Sequence, residues 1–189
     1  MPSERDDDLA SPRDDATAEA ELQRRLRRDL NRYLRIRERS RYEVQLYLTR
    51  RGYPAALRAA ALDDLEAERL IDDRRFAEMF VRDRQRLRPM SARMVLRELR
   101  ARGVSEQTAR DALAACEPPW EDAQMADALL SGRWTRWSAE QRGRRAAQLL
   151  RRRGFSSEQI RAAIERRAEP PPVGRTRREG APEAGEDWR

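Results

Sequence analysis

Three glycines at a constant spacing constrain this chain more than any other feature of its sequence. Gly52, Gly103 and Gly154 lie 51 residues apart, and each follows an arginine-bearing segment and precedes an apolar residue. Self-similarity of this length at a fixed period is typical of stacked supersecondary units. A glycine just past a helix adopts the left-handed conformation without a Cβ clash, and the next apolar residue folds back onto the last turn. Each unit is therefore predicted to contain a helix, a Gly-capped turn and another helix.

The similarity between the units extends beyond the glycines. When the units are aligned on them, apolar residues coincide at four further positions. The matching sets are Val44, Val95 and Ala146; Leu48, Leu99 and Leu150; Ala61, Ala112 and Ala163; and Leu62, Leu113 and Ile164. The repeat is therefore a whole unit and not an isolated turn motif.

The periodicity predicts an all-α chain with nine helices and no strand. The first helix, about 19–37, has apolar residues on one side and arginines on the other. Ser40-x-x-Glu43 begins the second helix as a capping box. We expect an elongated array of three tandem three-helix repeats, at 19–70, 71–117 and 118–168. The Asp-rich segment 1–18 and the Pro-containing segment 169–189 are predicted to be disordered tails.

Composition excludes several kinds of chemistry. All 41 basic residues are arginine, so there is no histidine base, no Schiff-base or phosphate-loop lysine and no His-ligated metal. Cys116 is the single cysteine, which excludes an intrachain disulfide and a Cys zinc cluster. Its alignment with Leu65 favours a small buried core residue over a reactive thiol. We therefore predict no enzyme activity, no catalytic residue, no cofactor and no metal.

The sequence also predicts the cellular compartment. The chain lacks an apolar run near the ~18 residues that a membrane span needs. Its start, residues 1–15, is acidic and contains proline, the opposite of the basic and apolar regions of a signal peptide. We expect a cytoplasmic protein without a membrane partner.

Formal charge alternates along the chain. Segments 21–41, 82–102 and 141–168 carry +6, +6 and +7, whereas 1–20, 55–73 and 104–127 carry −5, −4 and −5. Basic and acidic helices therefore alternate, which would lay stripes of opposite sign along a stacked array. Mutual neutralisation of neighbouring helices explains part of this pattern.

The positions of the arginines within two helices suggest a binding surface. Arg93, Arg97 and Arg100 recur at i, i+4 and i+7 on the outer face of the fifth helix, opposite Val95 and Leu99. Arg144, Gln148 and Arg151 hold the equivalent places in the third unit, and uncharged Tyr42, Leu46 and Thr49 hold them in the first. Our hypothesis is that Arg93, Arg97, Arg100, Arg144 and Arg151 bind a polyanion or a protein partner, since guanidinium groups contact phosphates and carboxylates bidentately. The alternative is ordinary solvent-facing charge.

Three other motifs leave alternatives open. Asp72 and Asp73 are either paired catalytic carboxylates or a helix N-cap, and the cap is the commoner use of such a pair. Trp134 and Trp137 either stack on nucleobases beside Arg133 and Arg136 or anchor an inter-helix loop. Tyr42 and Tyr47 fit either the core or an exposed contact. Sequence-specific reading of a DNA groove is not predicted, because no Asn, Gln and Arg set marks the start of a recognition helix and the helices after Gly52 and Gly103 are acidic.

Several segments carry a family resemblance. Residues 71–82, IDDRRFAEMFVR, and 95–104, VLRELRARGV, resemble the bacterial RecX regulatory family, as do 40–44, SRYEV, and 65–70, LEAERL. The resemblance covers about 21–168 and is strongest in the second repeat. The family usually has a glycine just before the fifth helix, where this chain has Arg88-Pro89-Met90. The loop at 86–91 is the point at which the chain departs from the family pattern.

The resemblance implies a fold and a function. The fold is all-α, with three tandem three-helix repeats. The implied function is that of a non-enzymatic regulator, expected to be a monomer. It binds the RecA recombinase filament on single-stranded DNA and inhibits ATPase and strand exchange, in homologous recombination, DNA repair and the SOS response. Single- or double-stranded DNA is a further partner. The alternatives are a general nucleic-acid-binding helical repeat protein that acts without a recombinase, and an adaptor that uses the acidic helices.

Overall fold

The computed structural model describes the backbone of residues 12–168 and the side chains of residues 16–168. Nine helices and one short 3-10 turn (Trp134–Arg136) make up this part of the chain, which contains no strand. The helices are α1 (Pro12–Leu34), α2 (Arg41–Arg50), α3 (Ala55–Ala67), α4 (Asp73–Leu87), α5 (Ala92–Arg100), α6 (Glu106–Ala114), α7 (Asp122–Leu130), α8 (Ala139–Arg152) and α9 (Ser157–Ala168). The predicted all-α class is confirmed for these residues.

The start of the first helix differs from the prediction. Helix α1 begins at Pro12 and not near residue 19, so residues 12–18 of the segment predicted to be disordered are helical. Proline is favoured at the first helical position, where its missing N–H has no partner to lose. The residues that follow are rich in Ala and Glu, which have high helix propensity. The remaining parts of the two predicted tails, 1–11 and 169–189, lie outside the described residues.

Each group of three helices has a hydrophobic core of its own. Leu26, Val44 and Leu62 belong to the first core, which joins α1, α2 and α3. The second core joins α4, α5 and α6, and the third joins α7, α8 and α9. Ile71, placed at the start of the second repeat by the sequence, packs into the first core, and Trp120 contacts both the second and the third. The described chain is therefore a row of three small cores.

The three predicted glycine turns are confirmed. Gly52, Gly103 and Gly154 have φ values of 78°, 80° and 86°. The next residue in each case, Tyr53, Val104 or Phe155, is buried and donates its backbone N–H to the carbonyl five residues earlier. This bonding is that of the Schellman motif, which satisfies carbonyls at the helix end and turns the chain toward the core.

Neighbouring units meet where one helix begins and another ends. Ser40, the fully buried N-cap of α2, donates its hydroxyl to the carbonyl of Arg102 at 2.6 Å and accepts the backbone N–H of Glu43 at 3.1 Å. At the second joint the buried Ser91 caps α5 and donates its backbone N–H to the carbonyl of Arg153 at 3.0 Å. In both joints a helix N-terminus lies against the C-terminus of a helix in the next unit, an arrangement that the two helix dipoles favour.

An aspartate strengthens each of these joints. Asp73 of α4 accepts the backbone N–H of Arg41, at 2.8 Å, and Asp122 of α7 accepts that of Ala92, at 2.7 Å. The two donors are the first residues of α2 and α5, whose N–H groups have no partner within their own helices. The same joint is thus made twice, once between units one and two and once between units two and three.

Two of the glycines are required by the joints as well as by their turns. A Cβ atom built on Gly103 would lie 2.3 Å from the Cβ of Tyr42 at the start of α2. One built on Gly154 would lie 2.7 Å from the hydroxyl oxygen of Ser91 and 2.8 Å from the Cβ of Met94. Gly52 has nothing within 4 Å, since no fourth unit lies beyond it in the described chain. Gly103 and Gly154 are therefore needed both for the left-handed turn and for the close contact between units, whereas Gly52 is needed for the turn alone.

This difference gives a matched pair of variants. Gly52→Ala places a side chain in a left-handed conformation, which costs about 1–2 kcal/mol. Gly103→Ala adds the clash with Tyr42, and overpacking of this kind costs about 1–3 kcal/mol more. We expect thermal unfolding followed by circular dichroism to give a clearly lower melting temperature for Gly103→Ala than for Gly52→Ala. Equal melting temperatures would show that the first joint has no such close contact.

Candidate nucleic-acid interface

The arginines predicted on α5 are exposed but have partners within the protein. Arg93 donates to the carbonyl of Gly154 at 3.0 Å, across the second joint. Arg97 lies 2.7 Å from the sulfur of Met94, and Arg100 forms an ion pair with Glu106 at 2.8 Å. Of these three side chains, Arg93 therefore has a structural role in addition to any role in binding, whereas Arg100 pairs with an exposed carboxylate, which contributes little to stability.

The arginines predicted on α8 have no such partners. Arg144 and Arg151 are exposed, and among the described residues neither side chain makes a hydrogen bond or an ion pair. Arg145 and Arg152, one position further along the helix in each case, share this property. The structure thus brings four unpaired guanidinium groups together on the outer surface of α8, where the sequence predicted two.

A second unpaired basic surface lies on α1 and was missing from the predicted set. Arg25, Arg28 and Arg32 of α1 and Arg35, the residue after its end, recur at i, i+3, i+7 and i+10, so they line one face of the helix and its end. All four are exposed, and none of the four side chains has a hydrogen-bond or ion-pair partner among the described residues. The signal was present in the sequence as the +6 of segment 21–41, but the comparison of equivalent helices between units left out α1.

Other arginines neutralise carboxylates where units one and two meet. Arg37 binds Glu43 through two hydrogen bonds of 2.9 Å, and Arg75 binds Glu38 through two of 3.1 Å. The Glu43 contact raises the pKa of Arg37 further above its ordinary value. Mutual neutralisation, the alternative reading of the alternating charges, therefore holds at this joint, whereas α1 and α8 keep their positive charge unpaired.

The Asp72–Asp73 pair serves the helix start. Asp72 is the N-cap of α4 and accepts the backbone N–H groups of Arg74 and Arg75, which confirms the cap interpretation. Asp73 accepts the N–H of Arg41 in the first joint, and burial raises the pKa of its carboxyl. Each carboxylate is thus bound to backbone of the protein itself.

Trp134 and Trp137 support a loop of the third unit. Trp134 and Trp137 are half-buried and pack against the third core. Arg142 donates its Nε–H to the backbone carbonyls of both residues, at 3.0 and 3.2 Å. These contacts favour the anchoring role over stacking on nucleobases.

The two tyrosines of α2 differ in burial: one packs inside the protein and the other is exposed. Tyr47 is half-buried and stacks on Tyr33 with ring centroids 4.0 Å apart. Tyr42 is exposed and lies against Gly103 in the first joint.

Neither a membrane span nor a metal site is found in the part of the chain that the structure describes. None of the helices in residues 12–168 combines the length and apolar character that a bilayer crossing requires. The described His, Cys, Asp and Glu side chains form no cluster of three or more placed to bind a metal ion.

Comparisons with known proteins agree on one family. The model for the second three-helix domain of RecX matches residues 72–113. A protein named Regulatory protein RecX from Chromohalobacter salexigens is 36% identical over 156 residues, which cover 82% of this chain and 91% of that protein. A protein of the same name from Halorhodospira halophila is 37% identical over 134 residues, covering 70% of this chain and 81% of its own length.

Two crystal structures resemble this fold. That of RecX from Lactobacillus salivarius superimposes with a TM-score of 0.61 at 22% identity, covering 78% of this chain and 97% of that one. Another, of the regulatory protein RecX, gives a TM-score of 0.64 at 24% identity, with coverages of 87% and 82%. At these identities the likeness concerns the fold alone.

The single thiol offers a test of local burial. Cys116 is half-buried against the second core, its sulfur lies 3.6 Å from the carbonyl oxygen of Pro118, and burial raises the pKa of the thiol. A raised pKa lowers the thiolate fraction at pH 8, and this loss outweighs the gain in nucleophilicity. We expect iodoacetamide to alkylate Cys116 more slowly in the folded protein than in the same protein in urea. An equal or faster rate in the folded protein would contradict the burial of this thiol.

Proposed function

The chain belongs to the RecX family, and on that premise we propose that it binds the RecA–single-stranded DNA filament and inhibits its ATPase and strand-exchange activities. It acts in this proposal as a non-enzymatic regulator in DNA repair and recombination, a cytoplasmic monomer without a cofactor. The observation that carries the proposal is the pair of unpaired arginine surfaces, on α1 and α8, in different units of one array.

Arginine suits a nucleoprotein partner for physical reasons. A planar guanidinium contacts a phosphate or a carboxylate through two hydrogen bonds, and it stays charged at any physiological pH. The arginines of the α1 face extend from Arg25 to Arg32 within the helix, about 10 Å at the usual rise, and Arg35 continues the face just beyond the helix end. A stripe of this length spans more than one phosphate or acidic side chain on a filament surface.

The three-unit array supports inhibition by bridging. Contacts spread over three linked units raise the effective concentration of each contact once the first has formed, so weak contacts suffice. Because the joints fix neighbouring units through buried serines and close glycines, the spacing between contacts is held. A fixed array that binds successive recombinase protomers opposes the rearrangements that hydrolysis and filament growth require.

The second candidate function is general nucleic-acid binding without a recombinase. The unpaired arginines favour it as well, since they would bind phosphates of any nucleic acid. The two functions are separated by adding naked single-stranded DNA to an inhibited filament. A simple DNA binder is titrated away by the competitor, whereas a filament regulator retains its effect.

The first functional prediction concerns the recombinase. We expect the wild-type protein to inhibit the single-stranded-DNA-dependent ATPase of the cognate recombinase when it is titrated against a fixed filament. The variant Arg144→Glu/Arg151→Glu should need about tenfold or more protein for half-inhibition, as the loss of two charged contacts predicts. Arg93→Glu/Arg97→Glu/Arg100→Glu should also weaken inhibition, and part of its effect will come from strain at the second joint.

A matched control makes the same change of charge, two arginines to glutamate, outside the α8 surface. Arg74 and Arg161 are exposed and paired with a glutamate one turn along, Glu78 and Glu165. Arg74→Glu/Arg161→Glu should inhibit like the wild type, with normal helicity. Equal inhibition by the α8 variant and this control would reject the α8 assignment, and no inhibition by the folded wild type on a proven filament would reject the recombinase function.

The second functional prediction concerns α1. In fluorescence anisotropy with a labelled single-stranded oligonucleotide, we expect affinity to fall steeply with salt. Each phosphate contact contributes a slope of about 0.7 in log K against log salt, so Arg28→Glu/Arg32→Glu should reduce the slope by at least about 1.4. The control Arg74→Glu/Arg161→Glu should leave the slope unchanged. A slope that is the same in all three proteins would place the DNA contacts elsewhere.

A further inference from the structure

A cleft lies beside the joint of the first two units and has no role in the surfaces described above. Its volume is about 410 Å³, enough for one or two side chains of a ligand. Four arginines line it: Arg37 from the segment after α1, Arg84 from α4, Arg88 just after α4, and Arg102 from the turn after α5. We call it the inter-unit cleft.

One exposed apolar side chain lies in the wall of this cleft. Met79 is 42% exposed, whereas Phe76 and Phe80 in the same wall are buried. Leu87 and Ile36 are each next in sequence to an arginine of the wall and are 75% and 74% exposed, but they do not line the cleft. Met79 is therefore the apolar group that the cleft offers to a ligand.

The arginines around the cleft are held in place before any ligand arrives. The guanidinium groups of Arg84 and Arg102 lie over the ring of Phe80, 4.1 and 4.8 Å from its centre, and both form ion pairs with Glu98. Arg37 is fixed by two hydrogen bonds to Glu43. Arg88 is exposed and makes no hydrogen bond or ion pair among the described residues. A ligand therefore meets a preorganised wall and one arginine that is free to bind it.

The cleft keeps a net positive charge despite the carboxylates near it. Glu38 lines the cleft but is bound by Arg75, and Asp83 is the second acidic residue in its wall. Counting the charged residues of the wall together with their ion-pair partners, five arginines face four carboxylates, a net charge of +1. The arginines are Arg37, Arg75, Arg84, Arg88 and Arg102, and the carboxylates are Glu38, Glu43, Asp83 and Glu98. An acidic ligand is favoured over a basic one.

The aromatic rings of the cleft are not available to a nucleobase. Phe76 and Phe80 are both buried, and the two arginines lie over the ring of Phe80. Base recognition on single strands depends on open aromatic faces, which this cleft lacks. The accessible apolar group is the flexible thioether of Met79, which suits an aliphatic or aromatic side chain of a protein.

We propose that the inter-unit cleft binds an acidic segment of a partner protein that carries one apolar side chain. The apolar side chain contacts Met79, and the flanking carboxylates bind Arg88 and the arginines around it. This inference rests on the proposed function only for the identity of the partner, which is then the recombinase. It divides the array into a protein-binding cleft between units one and two and the phosphate-binding arginines of α1 and α8.

The test uses a defined probe. The full-length protein is titrated against the fluorescein-labelled peptide acetyl-Glu-Asp-Leu-Glu-Asp, and binding is followed by fluorescence anisotropy. Two control peptides replace Leu by Gly, or the four acidic residues by Gln and Asn. We expect the first peptide to bind and each control to bind about tenfold or more weakly, as the loss of either the apolar or the charged contacts predicts.

Protein variants locate the site. Met79→Glu and Arg88→Glu change exposed side chains, so both should fold, and each should weaken peptide binding about tenfold or more. Arg86→Glu is the matched control, since Arg86 is exposed and unpaired on the same helix but does not line the cleft. It should bind the peptide like the wild type.

Four results would overturn the proposal. They are the absence of peptide binding by the wild type, equal loss in Arg86→Glu and Arg88→Glu, and displacement of the peptide by an oligonucleotide in the Arg144→Glu/Arg151→Glu background. The fourth is binding only after removal of residues 169–189, which would make the chain's own acidic end, with Glu186, Asp187 and Trp188, the occupant of the cleft.

The recombinase assay separates this inference from the proposed function. Weaker ATPase inhibition by Met79→Glu, with unchanged oligonucleotide binding, supports the recombinase as the partner. Peptide binding without any inhibition by the wild type would reject the recombinase function and leave the cleft as a site for another acidic protein segment.

Discussion

The close contact between a helix end and the helix start of the neighbouring unit is the constraint on which the rest of this structure depends. A left-handed glycine ends the second helix of units two and three, and because it has no Cβ, the start of α2 or α5 approaches to van der Waals distance. The buried hydroxyl of Ser40 and the backbone N–H of Ser91 then bind carbonyls that would otherwise be orphaned at those helix ends. A side chain at either glycine would push the units apart and leave buried polar groups without partners. The spacing of everything displayed on the array follows from these two joints.

The joints also decide which arginines are available to a partner. Arg93 binds the carbonyl of Gly154 across the second joint, and Arg37, Arg75 and Arg102 bind carboxylates around the first. Other arginine side chains, such as those of Arg28 and Arg144, have no partner within the described residues and remain available. Exposed ion pairs contribute little to stability, whereas partly buried bidentate pairs hold geometry. The excess of positive charge therefore divides into a part that aligns the units and a part that remains for binding.

The sequence could predict whatever depends on local spacing. The glycine turns, the N-cap at Ser40 and most of the repeated apolar core positions are set within one or two helical turns, and these were found as expected. The role of Arg93 could not be predicted, because its partner carbonyl lies 61 residues away and becomes adjacent only when the units stack. The α1 surface was overlooked for a different reason: the comparison between units was made for the helices that precede the glycines, α2, α5 and α8, and it left out α1. The start of α1 was placed too late because acidic composition was read as disorder, although the Ala- and Glu-rich residues 16–22 favour helix.

The two ends of the array differ in the groups that form a joint, and this difference limits the number of units that can stack. In the register set by the glycines, the position of Ser40 and Ser91 is taken in unit three by Arg142, within a helix that begins one turn earlier. Arg142 turns to the carbonyls of Trp134 and Trp137, whose rings pack on the third core, so this loop lies at the start of α8, where a fourth unit would have to dock. At the opposite end Gly52 keeps the turn and the open space that a further joint would use. A joint at Gly52 would need a serine-capped helix start from a second copy of the chain. Both such starts, at Ser40 and Ser91, are already bound within the copy's own array. Head-to-tail polymerisation through this joint is therefore disfavoured, and length along a filament has to come from binding many separate copies.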